Sequence, residues 1–85
     1  MWYFYILQST KDLNYFYKGS ANDIERRLRQ HNEGDVISTK PYSPLRLVYY
    51  EAYLNEHGAR LREASVKNSG NVSVPLLRRI RESFS

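Results

Sequence analysis

The chain has 85 residues, 13 Lys and Arg against nine Asp and Glu, and no cysteine. One domain over residues 1–85 is expected, with a small core and a stability of only about 5 kcal/mol. The missing cysteine excludes a disulfide framework, a zinc ribbon and any thiolate metal site, and fits a reducing, cytoplasmic setting.

In chain order, Trp2–Leu7 is aromatic and β-branched, free of Gly and Pro, and reads as a strand. It is too short and too aromatic for a signal peptide and cannot span a bilayer, so no membrane association is expected. Tyr3, Tyr5 and Leu7 point to one face, and Trp2, Phe4 and Ile6 to the other. Two apolar faces suit a central strand. Lys11-Asp12 signals a turn, and Asn14–Lys18 reads as a second strand closing a hairpin.

Asn22-Asp23-Ile24-Glu25 opens a helix, either through an Asn22/Glu25 capping box or with Asp23 as cap. That helix ends near Asn32-Glu33-Gly34. Asp35–Pro44 reads as a polar loop, and Leu45–Tyr53 as a third strand. Asn55 is the expected cap of a second helix reaching about Lys67. Asn68–Asn71 breaks it, and Ser73 would cap a last helix with Pro75 in its first turn. In that helix Leu76, Leu77, Ile80 and Phe84 keep helical spacing, with Arg78, Arg79 and Arg81 mostly outside the stripe. The order is β-β-α-β-α-α: an α+β fold in which a small three-stranded antiparallel sheet is flanked by helices.

Charge is unevenly placed. Residues 1–59 are balanced, whereas residues 60–85 hold six Lys and Arg against Glu63 and Glu82. Such an excess attracts nucleic acid or an anionic surface, although a solvated basic helix accounts for it equally. No G-x-G-x-x-G, G-K-[ST] or G-x-S-x-G segment is present, which excludes dinucleotide, P-loop and serine-hydrolase chemistry of those types.

A few residues suggest chemistry, each with a plainer account beside it. Tyr5 and Tyr17 lie on paired strands, where their hydroxyls can converge. Strand patterning alone favours core aromatics with hydroxyls at the rim. Gly19 permits close backbone approach, or merely turns the chain. Arg27 and His31 sit one helical turn apart and suit a phosphate oxygen and a proton, or a wet basic surface. Glu63 lies near the inward edge of its helix and is enough for Mg²⁺, or else pairs with Lys67 on the surface. Asp12, Asp23, Asp35, Glu51 and His57 lack ligand spacing and read as caps, turns and surface.

Together these residues resemble the GIY-YIG endonuclease family, in particular its short stand-alone bacterial members and the catalytic domain of the excision-repair incision subunit. Tyr3-Phe4-Tyr5 stands at the first motif and Tyr17-Lys18-Gly19 at the second. The segment from Asp23 to Asn32 resembles the family's arginine helix, Pro44–Glu51 its third strand, and Ala59–Lys67 its glutamate helix. Tyr3 and Lys18 replace motif residues, and Ser20 stands where some members carry lysine.

The resemblance implies hydrolysis of a DNA phosphodiester by in-line attack of water with one Mg²⁺ or Mn²⁺. By position, Glu63 would hold the metal and Arg27 the scissile phosphate. Tyr5 would orient or deprotonate the water, Tyr17 would bond phosphate or water, His31 would assist proton traffic, and Gly19 would allow close approach. Lys18, Arg26, Lys67, Arg78, Arg79 and Arg81 would grip nucleic acid. DNA is the expected partner, in repair or recombination, with RNA left open and a protein partner for targeting left open too. A fold of this kind that binds without cutting is the rival reading; a basic interaction module with purely structural tyrosines is a second.

Overall fold

A computed structural model describes residues 1–84. Its elements are β1 (Trp2–Ser9), β2 (Phe16–Ala21), α1 (Ile24–Asn32), a single 3-10 turn at Lys40–Tyr42, β3 (Leu45–Tyr53), α2 (Glu56–Asn68) and α3 (Gly70–Ser83). The sheet is antiparallel in the order β2-β1-β3, so the strand with two apolar faces is the central one.

The alternation along β1 divides the interior. Phe4 and Ile6 pack with Val66 of α2 and with Leu76 and Ile80 of α3. Tyr5 and Leu7 face the other way, against Leu45, Tyr17 and the Ile24 and Leu28 stripe of α1. Helices α2 and α3 therefore cover one face and α1 the other. Between Ile6 and Leu7 the pairing with β3 slips by one residue, leaving Val48 as the extra residue of a β-bulge.

Three boundaries differ from expectation. The second strand starts at Phe16 and runs past Gly19 to Ala21. Its late start follows from the hairpin turn, where Tyr15 N–H donates to the Asp12 carbonyl at 3.0 Å. The buried Ser9 hydroxyl accepts from the N–H groups of Lys11 and Asp12 in the same turn. Its late end follows from the Tyr3–Ala21 pairing. At α1 one of the two expected caps forms: Asp23 accepts from Arg26 N–H at 3.0 Å, while Asn22 accepts from the Arg26 side chain. The last helix begins at Gly70, with neither a Ser73 cap nor Pro75 in its opening turn. There Ser69 ends α2 and opens α3 at once, its carbonyl accepting from Val72 and Ser73 N–H. Those bonds continue α3 through the expected break.

Asn32 fastens the end of α1 to the start of β3. Its amide donates to the Leu45 carbonyl at 3.0 Å and accepts the Leu45 N–H at 2.6 Å. Glu51 is likewise no simple surface group. It is half-buried on β3 and accepts from the Tyr49 and Tyr53 hydroxyls and from Arg62 Nε of α2. Those donors and the Arg62 charge keep its carboxyl below the ordinary range, against the upward pull of burial. No helix among the described residues is long and apolar enough to cross a membrane.

Candidate active site

Pairing of β1 with β2 sets Tyr5 opposite Gly19 and Leu7 opposite Tyr17. The tyrosine rings converge over the space left by the glycine, with centroids 6.3 Å apart. A Cβ at Gly19 would stand 2.7 Å from the Tyr5 hydroxyl oxygen and 2.9 Å from a Tyr17 ring carbon. Gly19 is required here by those two rings, since its φ is not positive.

His31 closes the group from α1. Its ring centroid is 4.7 Å from that of Tyr17, and its Nε2 is 3.4 Å from the Tyr5 hydroxyl. Nδ1 lies 2.7 Å from Thr39 Oγ1, in the loop before the 3-10 turn. Tyr5, His31 and Thr39 are all buried. Burial, aided by the Arg27 charge, lowers the His31 pKa to about 4, so the imidazole is neutral at physiological pH. Burial and the neighbouring Tyr17 raise the Tyr5 hydroxyl to about 12, opposed by a hydrogen bond and positive charge from Arg27. At rest Tyr5 is a protonated hydroxyl.

Two opposite charges reach this hydroxyl. Arg27 comes from α1, with its guanidinium held by Gln30 Oε1 at 2.9 Å. Glu63 comes from α2, on the far face of the sheet, and its charge also bears on Tyr5. Ser20 of the edge strand β2 donates to Glu63 Oε1 at 2.6 Å, and Lys67 Nζ donates to Oε2 at 2.6 Å. The surface ion pair expected between Glu63 and Lys67 is thus present, but at the site: Lys67 Nζ also stands 5.9 Å from the Tyr17 ring centroid. The Q-H-N segment ending α1 divides its work. Gln30 aims Arg27, His31 meets Tyr5, and Asn32 anchors β3.

The remaining cations are dispersed. Lys18 pairs with Ile6 and faces away from Tyr17, and Arg26 is exposed at the start of α1. On α3, Arg81 lies over the Phe16 ring of β2 at 5.0 Å, near Arg78. Arg79 turns towards Tyr49 of β3. The three arginines do not form one patch. Ser20, Gln30 and Thr39 were not singled out for roles from sequence, because their parts depend on tertiary contacts that a lone polar residue on an edge strand, a helix surface or a loop does not announce.

This assembly brings tyrosines from paired strands together with arginine and glutamate from helices on opposite faces of a three-stranded α+β fold. A family model described as the GIY-YIG catalytic domain matches residues 1–72, ending at the start of α3. The chain belongs to the GIY-YIG nuclease family. It is 38% identical over 66 residues to a UPF0213 protein of Clostridium perfringens, covering 76% of this chain and 69% of that one. A UPF0213 protein of Haloquadratum walsbyi is 33% identical over 67 residues, covering 78% and 73%. One from Pediococcus pentosaceus is 33% identical over 66 residues, covering 76% and 67%. No solved structure matches the chain.

Proposed function

We propose that residues 1–85 act as one nuclease domain that hydrolyses a DNA phosphodiester by in-line attack of water with one Mg²⁺ or Mn²⁺. The observation that carries the reading is that Glu63, bonded to Ser20 beside Gly19 and to the Lys67 that lies over the Tyr17 ring, is drawn to the paired strands of Tyr5 and Tyr17, while the Arg27 charge bears on Tyr5 from the helix on the other sheet face. A core tyrosine needs neither charge. A phosphodiester needs a cation for its oxygens and a carboxylate for a counter-ion.

Glu63 fits a hard divalent ion. Its side chain is about one-fifth exposed, and among the described residues Ser20 donates to one of its oxygens and Lys67 to the other. Among the described residues no cluster of three or more His, Cys, Asp and Glu stands ready as a cage. Mg²⁺ does not require one, because it takes one or two carboxylates and completes its shell with water and phosphate oxygens. When bound, the ion supplies Lewis-acid polarisation of the phosphoryl group and stabilises the leaving oxygen.

The protein's own groups do the rest. Arg27 offers a forked guanidinium to the phosphate oxygens, pre-aimed by Gln30. Tyr5 orients the water and takes its proton only while passing its own to His31 Nε2, since a hydroxyl near 12 is no free base at neutral pH. Tyr17 bonds the phosphate or the water, and Gly19 keeps the floor open for both rings. Lys18, Arg26, Lys67, Arg78 and Arg81 add phosphate contacts along the strand. Family membership supports a nuclease; DNA rather than RNA as substrate, and structure-selective cutting in repair or recombination as the setting, are part of the proposal.

The test is cleavage of labelled duplex, branched and single-stranded DNA with Mg²⁺ or Mn²⁺, beside Glu63→Gln. Metal-dependent nicks are expected, slowed at least about 100-fold in the variant. Cutting by Glu63→Gln at the wild-type rate would sink the assignment. Salt-sensitive binding by both proteins with no product would replace it with a fold that binds without cutting.

A further inference from the structure

We propose that Thr39 is a positioning residue: it locks His31 in the Nδ1–H tautomer and so leaves the Nε2 lone pair to accept the Tyr5 hydroxyl proton. The consequence for catalysis rests on the nuclease reading above; the tautomer does not.

The argument is one of direction. Three side chains and one carbonyl form a chain of contacts. The Tyr5 hydroxyl meets His31 Nε2 at 3.4 Å, His31 Nδ1 meets Thr39 Oγ1 at 2.7 Å, and Thr39 Oγ1 donates to the Val36 carbonyl at 3.3 Å. The Val36 end cannot be reversed. A carbonyl only accepts, and Thr39 has a single hydroxyl hydrogen to give it. Every O–H and N–H before that bond must then point towards Val36. Tyr5 donates to Nε2, Nδ1–H donates to Thr39, and Thr39 donates to Val36.

The other tautomer breaks the chain twice. With the proton on Nε2, the ring would donate to the Tyr5 oxygen and offer the hydroxyl proton no lone pair. Thr39 would have to turn its single hydrogen to Nδ1 and abandon Val36. His31 and Thr39 are 0% exposed, so water does not repair the loss at Thr39. The low basicity of His31 keeps the ring neutral, so the tautomer is the state that matters.

In the reaction, the O–H bond of the attacking water breaks and a new one forms on Tyr5. The original Tyr5 O–H breaks as an N–H forms at Nε2. The imidazolium then holds Nδ1–H against Thr39 and Nε2–H against Tyr5. A ring already protonated at Nε2 has no lone pair there for this transfer.

The experiment is ¹⁵N NMR of the imidazole nitrogens in wild type, Thr39→Val and Thr39→Ser, with single-turnover DNA cleavage of each. Exposed His57 supplies the comparison signal. Wild type is expected to carry its proton on Nδ1 of His31. Thr39→Val should move it to Nε2 and cut at least about 10-fold more slowly, with unchanged DNA affinity. Thr39→Ser should restore both. A wild-type Nε2–H signal overturns the proposal outright. So does a Thr39→Val protein that keeps Nδ1–H, or one that shifts tautomer but cuts at full rate. If Thr39→Val does not fold, Thr39→Cys, which offers only a weak acceptor, is read in the same way. If wild type cuts no DNA, the nuclease reading falls and the spectra alone judge the tautomer.

Discussion

The two faces of the sheet are built from alternate residues of one strand, yet they obey different rules. Phe4 and Ile6 look onto hydrocarbon from α2 and α3, where shape alone decides what fits. Tyr5 is as thoroughly buried, but it looks onto Tyr17, His31 and Arg27, where every atom has a direction. A period-two pattern separates the faces without saying which holds the chemistry. The chemistry lies where burial falls on groups that hydrogen-bond.

The comparison can be broken by paired substitutions. Phe4→Ala should lower unfolding free energy by about 4 kcal/mol, measured by urea denaturation, leaving a chain near its folding limit. Tyr5→Phe should lower it by only about 1 kcal/mol but slow cleavage about 100-fold. Similar stability losses in both would mean that the Tyr5 hydroxyl is mere packing.

The second test uses pH. The folded-state pKa of His31 is lowered from 6.5 to about 4. Between those values the unfolded chain binds a proton that the folded chain refuses. This contribution to stability is therefore fully present above about pH 6.5 and lost as pH falls towards 4, by about 3 kcal/mol. Urea unfolding at pH 7 and pH 4.5, in wild type relative to His31→Gln, isolates it. A pH-independent difference would mean that His31 is open to water in solution.

The smallest expected effect lies outside both faces. Reversing Arg78 and Arg81 to Glu should weaken DNA binding and flatten its salt dependence by roughly one unit of slope per lost phosphate contact. Single-turnover cutting at saturation should stay the same. An unaltered slope would make α3 a solvated basic helix.

Much of this was legible from sequence, for identifiable reasons. The bounds of β3 followed from its wealth of Leu, Val and Tyr, and the central place of β1 from apolar residues on both its faces. The start of α3 did not, because Ser73 and Pro75 imitate a cap and a first-turn proline while the helix already runs from Gly70. Tyr5, Tyr17, Arg27, His31 and Glu63 stood out through their joint order; none did so alone. Thr39 lay in a segment read only as polar loop, and its part depends on a tertiary contact with His31 that no local pattern encodes. Glu51 looked like an exposed strand residue because its partners alternate beside it on β3 and approach from α2.

Arg62 and Glu63 are consecutive, yet they reach opposite borders of the sheet: Arg62 goes to Glu51 on β3, and Glu63 to Ser20 on β2. A rod pinned at both sides by adjacent rungs cannot roll about its own axis without tearing one pin. The aim of the Glu63 carboxylate is thus governed in part from the border farthest from it, and a change on β3 that touches no nucleic acid would still swing it off target.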